Sequence, residues 1–166
     1  TGLPETVGKD PLTTSSLLLS VTTKLNLATG IVNIYHREPG VMLAAQKTLA
    51  EQSQNRFILG MGVSHKPLVE GVRGLEYGPP VKTMRDYLSK MEASPYTGIA
   101  SSEKPTTLIA ALGPKMLELA AEKTDGAHPY FTSPEHTEFA RKILGKDKKL
   151  CVEQKVMLEP DLPKAR

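Results

Sequence analysis

A chain of 166 residues, 39% hydrophobic and 23% charged, holds enough apolar material for one folded core and is neither disordered nor collagen-like. Its 21 Lys and Arg against 18 Asp and Glu leave a net charge of +3 spread along the chain, and it has no Trp, which together argue against a nucleic-acid surface. Apolar runs fall far short of the roughly 18 residues of a membrane span, the first residues do not read as a secretory signal, and a single cysteine, Cys151, excludes an internal disulfide framework and makes a reducing cytoplasm the expected compartment.

Short apolar runs alternate with helical patterns. A strand stub at Leu3 and Pro4 precedes a helix predicted over 11–23, with Asp10 placed to cap it and Pro11 at the first position, where a missing N–H costs nothing. An extended run follows over 24–34, interrupted by Gly30, which suggests a bulge or a close backbone approach. Glu38 and Pro39 open a second helix with Met42, Ala45, Leu49 and Gln52 as its buried stripe, and 56–63 reads as a fully buried strand. Residues 64–80 form a long loop marked by Gly71, Gly74, Gly78 and two prolines. The third helix, 81–91, places Met84, Leu88 and Met91 on one face, and 93–104 returns over the surface. Then come a strand over 106–112, a helix over 114–123, a strand over 126–130, a helix over 134–144 capped by Ser133, and a strand over 150–158 in which Cys151 is expected in the core. Met61, Met84, Met91 and Met116 read as packing residues, and four of the helices begin with proline.

Strands separated by helices pair in parallel through right-handed crossovers, which leaves a closed (β/α) barrel or an open doubly wound sheet. A barrel ordinarily takes about 250 residues, so length alone favours the open sheet. In either case reactive groups belong where strands end and helices begin. That rule selects Glu5, 31–37, 62–66, 112–115, 130–133 and Glu159. Gly113, Pro114 and Lys115 would set free amides, the positive end of a helix dipole and a lysine around an anion, most simply a phosphate; a plain helix cap beside a solvated lysine is the alternative. Gly60 to Val63 lacks the third glycine of a dinucleotide fingerprint. His65, at a strand end beside Ser64 and Lys66, is placed to exchange a proton with a bound ring or substrate, against the alternative of a surface histidine without a role. His36 and Arg37 read as a solvated loop, His128 is uninformative alone, and His136 reads as structural. No metal-ligand spacing and no nucleophile elbow is present.

The segments TGIVNIYHREP (29–39), RFILGMGVSH (56–65), AALGPKMLELA (110–120) and DGAHPY (125–130), in that order, resemble the bacterial luciferase-like superfamily, and most of all its actinobacterial F420-dependent oxidoreductase branch. The resemblance runs from Leu3 to about Asp161 and implies an incomplete TIM (β/α)8 barrel, one partial domain over 1–166 that covers the second to seventh βα units. Either a fragment or a short relative that oligomerises with its own kind is implied, since bare barrel edges invite aggregation. It implies coenzyme F420 or, alternatively, FMN in the barrel mouth, and hydride transfer to or from a small organic substrate. A luciferase-like monooxygenase and a non-catalytic truncated barrel acting as a binding module are the other readings. The cofactor-binding positions it implies are Gly30 and Ile31, at a bulged non-prolyl cis peptide, Gly62, Val63 and Ser64 along the ring's polar edge, and Gly113, Pro114 and Lys115 near the phosphate. His65 and Glu5 are the catalytic positions, although relatives often carry an acidic residue at the first and a histidine near the second.

Overall fold

The computed structural model describes residues 2–154 together with 156, 158 and 164. In chain order the strands are β1 (Gly2–Leu3), β2 (Leu27–Thr29), β3 (Val32–Asn33), β4 (Phe57–Gly62), β5 (Thr106–Ile109), β6 (Gly126–Ala127) and β7 (Lys149–Leu150). The α-helices are α1 (Pro11–Ser20), α2 (Pro39–Gln52), α3 (Pro80–Ala93), α4 (Pro114–Lys123) and α5 (Pro134–Leu144). Proline holds the first position of all five, one more than the sequence pattern indicated, because α3 begins at Pro80 rather than Val81. The residues between β4 and α3 are not wholly irregular: Pro67–Val72 form a π-helical turn.

All strands are parallel and lie in the order β1-β2-β4-β5-β6-β7, with β3 also on β4. A doubly wound sheet reverses its strand order at a switch point; here the order never reverses, so right-handed crossovers put every helix on the same face. Each helix accordingly packs on the next along the chain, α1 on α2 through α4 on α5. This is an arc of a (β/α) barrel, and the length-based expectation of an open doubly wound sheet does not hold.

Side chains alternate across the sheet with period two. Leu27, Phe57, Leu59, Met61 and Ile109 point to the helices and meet Leu12, Met42, Leu49, Met84, Leu88, Met91 and Leu117 in one core. Ala28, Ile58 and Leu108 point to the other, concave face. The α2 stripe differs from its expected form: Gln46, not Gln52, is the buried polar member, and it donates to the Thr106 carbonyl and the Thr107 hydroxyl. Cys151 is exposed rather than in the core, because β7 ends at Leu150. Strands β5 and β6 also stop earlier than the apolar runs suggest, at Ile109 and Ala127, where the chain turns into the wall of the mouth.

Two places fix how the strand ends are presented. Between the pairs Ala28–Ile58 and Val32–Met61 the first strand advances four residues and its partner three, so Gly30 and Ile31 sit in a bulge. Thr29 repairs the broken ladder: its hydroxyl donates to the Gly60 carbonyl at 2.8 Å and accepts from the Gly60 amide at 2.9 Å. At the opposite end of the strands, the Arg56 guanidinium donates to the carbonyls of Leu19, Leu25 and Ser53, closing the C-termini of α1 and α2.

Candidate active site

The strand ends converge on one cavity of about 930 Å³. Its floor is the bulge, where the Gly30–Ile31 peptide is cis. Gly62 does not line the cavity, but a Cβ there would lie 2.8 Å from the Ile31 side chain. The glycine therefore makes room for Ile31 to stand over the floor. On one wall, Ser64 takes a left-handed conformation with φ of 56°, which turns the chain sharply after β4. The Tyr77 hydroxyl donates to the Ser64 carbonyl and the Tyr77 ring stacks on Tyr35, pinning the long loop beside the mouth. His65 follows at the rim, exposed, with no hydrogen bond to its ring among the described residues.

On the facing wall α4 begins at Gly113 with no side-chain cap, unlike α1, α2 and α5, which Asp10, Glu38 and Ser133 cap. Pro114 has no N–H, and the Met116 amide already bonds the Gly113 carbonyl at 3.2 Å. The Lys115 amide and ammonium are thus the groups this helix end offers to an anion. Gly113 has ordinary backbone angles, and a Cβ there would meet nothing within 4 Å, so the glycine relieves no crowding inside the protein and leaves open space in front of the helix.

Glu5 enters from the end of β1, and its side chain is only 8% exposed. Both carboxylate oxygens accept from Arg37 Nη1, at 2.7 and 2.9 Å, and one also accepts the Asn33 amide at 2.7 Å. Asn33 accepts from the Tyr35 amide through its side-chain oxygen, which turns its NH₂ toward His36 Nε2 at 3.1 Å. His36 Nδ1 then faces Glu5 at 3.5 Å. Arg37 also reaches Asp10, the cap of α1. The loop that reads as solvated is thus a partly buried ion cluster tying β1, β3 and α1 together. Burial pulls the Asp10 carboxyl upward, but hydrogen bonds from Thr13 and the Arg37 guanidinium outweigh it and hold it below the ordinary value of 3.8. A depressed carboxylate contributes stability above the unfolded value, and that contribution is lost as pH falls through the folded one. Asp10→Asn, which keeps a capping oxygen, should therefore flatten the acid limb of a melting-temperature profile below about pH 4. An acid limb unchanged from wild type would show that this carboxyl is not depressed by folding.

Of the residues selected from sequence, Glu5, Gly30, Ile31, Val63, Ser64, His65, Gly113, Pro114 and Lys115 line this one cavity, and Gly62 stands behind Ile31. Glu159 lies outside the described residues. Among these no cluster of His, Cys, Asp or Glu suits a metal ion, and no helix is long and apolar enough to cross a membrane. His128, uninformative in the sequence alone, and Glu153, which the strand-end rule does not select, also line the cavity. The apolar pattern extends this strand to Tyr130, but β6 ends at Ala127, and the residue that follows a strand end there is His128.

A parallel barrel arc with its cavity at the C-terminal strand ends narrows the family, and the sequence profile of the luciferase-like monooxygenase family matches residues 1–145. The chain belongs to that family. A Mycobacterium tuberculosis protein, provisionally named a coenzyme F420-dependent oxidoreductase, is 31% identical over 160 residues, 78% of this chain and 46% of its own length. The coenzyme F420-dependent tetrahydromethanopterin reductase of Methanopyrus kandleri superposes with a TM-score of 0.69 at 21% identity, over 86% of this chain and 51% of its own. The oxygenating constituent of a Pseudomonas putida diketocamphane monooxygenase, solved with FMN, gives a TM-score of 0.67 at 14% identity, over 86% and 51%. This luciferase-like chain thus spans about half the length of the relatives it matches.

Proposed function

We propose that the chain contributes the cofactor-binding strand ends of an F420-dependent oxidoreductase that moves a hydride between the deazaflavin and a small organic substrate. One observation carries the reading: the bulge at Gly30 and Ile31, the turn at Ser64 and His65, and the uncapped start of α4 with Lys115 all face a single cavity. An apolar floor suits a flat ring, Ser64 and His65 offer polar contacts to its edge, and Lys115 with its own amide suits a phosphate. The open space before Gly113 is the feature that fits the anion, since a side chain there would stand between phosphate and helix. When bound, the deazaflavin supplies the site that accepts or donates the hydride. The identity with the mycobacterial oxidoreductase supports F420 over FMN, which the monooxygenase neighbour keeps as the alternative.

Titration of the full-length protein with F420 and with FMN tests this, F420 being expected to bind. Tight FMN binding without F420 binding would move the assignment to a flavin monooxygenase, and binding of neither would leave the reading without support. Lys115→Ala should weaken F420 about tenfold and make its affinity less sensitive to salt, because one exposed charge contact to a phosphate is removed. An unchanged dissociation constant across salt concentrations would take the phosphate away from α4.

A further inference from the structure

One side chain ties α5 to the turn that precedes α4. His136 stands in the first turn of α5, where its backbone amide donates to the Ser133 hydroxyl at 3.3 Å and its ring meets Phe139 edge-on at 5.8 Å. Its Nε2 lies 2.8 Å from the Leu112 carbonyl oxygen, and a carbonyl can only accept, so Nε2 carries the proton. Nδ1 is buried and has no partner among the described residues, which leaves the bond to Leu112 as the ring's one hydrogen bond there. The cis peptide among the described residues is Gly30–Ile31, so the Leu112–Gly113 peptide is trans. In a trans peptide the C=O and N–H point in opposite directions. With its carbonyl drawn to α5, this peptide turns the Gly113 N–H away from α5, on a residue that lines the mouth cavity. That N–H has no acceptor among the described residues, and neither has the Lys115 amide.

A peptide plane followed by glycine rotates with little opposition, because glycine accepts the φ values such a rotation passes through and no Cβ resists them. Rotated by half a turn, the Leu112–Gly113 unit would aim its carbonyl oxygen where the N–H now points. An anion in front of α4 would then meet an acceptor in place of a donor. Little else holds this plane. The Met116 and Leu117 amides both bond the Gly113 carbonyl, so they fix the peptide after it, and the Ala110 amide, bonded to Met61, fixes the chain before it. We propose that His136 is a positioning residue: by holding the Leu112 carbonyl it keeps the Gly113 N–H on the cavity side as a donor to the cofactor phosphate, beside the Lys115 amide and ammonium. This rests on the F420 reading above and deepens it with a residue that touches no ligand itself. His136 does not line the cavity, so its effect on binding passes through Leu112 and Gly113.

Three measurements on the full-length protein test it. Nitrogen NMR of histidine-labelled wild type should show His136 protonated at Nε2; a bare Nε2 overturns the proposal without any variant. His136→Phe keeps a ring against Phe139 but has no donor, and should bind F420 about tenfold more weakly, because a hydrogen bond to a charged group is lost. Its affinity should still fall with salt as steeply as that of wild type, since Lys115 is untouched, whereas a general loosening of α4 would flatten that dependence as well. His136→Gln, which can place an N–H near the position of Nε2, should stay within roughly threefold of wild type. A His136→Gln variant as weak as His136→Phe overturns the proposal. The Gly113 amide resonance gives the direct reading: inorganic phosphate should shift it in wild type and in His136→Gln and leave it in place in His136→Phe, and an equal shift in all three overturns the proposal. Wild type that takes up no F420 overturns the parent reading and this one with it, whereas F420 bound equally by wild type and His136→Phe overturns this inference alone. Should His136→Phe not fold, His136→Leu replaces it with the same expectations.

Discussion

Gly60→Ala should unfold this protein, or leave it too unstable to purify at ordinary temperature. A Cβ at Gly60 would stand 2.0 Å from the Thr29 carbonyl oxygen, and that oxygen belongs to the backbone of the neighbouring strand, where no rotamer change can remove it. Separating the strands would also break the two bonds of the Thr29 hydroxyl to Gly60, all in a setting where Thr29 is 1% exposed. Overpacking in a core costs about 1–3 kcal/mol and each buried polar group left unpaired costs about 1–3 kcal/mol more. A total of about 4 kcal/mol or more is a large share of the 5–15 kcal/mol that holds a typical domain. Gly71→Ala is the control, because nothing lies within 4 Å of a Cβ there. Urea melts of the two variants beside wild type make the comparison, and a Gly60→Ala midpoint close to that of Gly71→Ala would mean that the bulge register is wrong.

Arg37→Met should cost about 3 kcal/mol, because it strands the Glu5 carboxylate, and breaking a buried pair by removing one partner costs about 3–5 kcal/mol. The lower end applies here, since Glu5 keeps the Asn33 amide and Arg37 itself is 15% exposed. Loss of the Asp10 contact adds little, as the Asp10 side chain is 41% exposed. The cause is separable from lost packing. Adding Glu5→Gln to Arg37→Met removes the stranded charge and should restore about half of the stability, a coupling that a double-mutant cycle of melts reads directly. A double variant no more stable than Arg37→Met would show that the penalty does not come from the buried carboxylate.

Much of this architecture was legible in the linear chain because its signals are local. Proline at the first helical turn is a backbone property of one residue, and it marks α1, α2, α4 and α5 correctly. The apolar run of β4 and the stripe of Met84, Leu88 and Met91 follow from periodicity, which any neighbouring element must respect. The interruption at Gly30 is likewise visible as a glycine inside a strand. The luciferase-like resemblance added the order of motifs and thereby the common mouth.

What could not be read is the pairing of groups that are far apart in sequence. Arg37 looks solvated until Glu5, 32 residues earlier, is brought against it; nothing in IYHRE marks it as buried. In sequence, Gly60 and Gly62 resemble only a dinucleotide fingerprint that lacks its third glycine, and Gly62 is placed at the ring's polar edge by the family resemblance. Folded, they clear space for the Thr29 carbonyl and the Ile31 side chain. His128 carries no signal in its neighbours either, since its ring is held by the Cys151 carbonyl 23 residues later and lies near Glu153, which is 25 residues away.

Local sequence therefore determined the elements, their parallel order and the candidate strand ends, because helix starts, strand runs and crossovers depend on short-range geometry. The luciferase-like resemblance already implied the barrel arc, whereas tertiary structure alone decided that Glu5 is held in an ion cluster and that His128 lines the cavity. Those outcomes depend on electrostatics and hydrogen bonding between segments, which exist only once the strands have set their register.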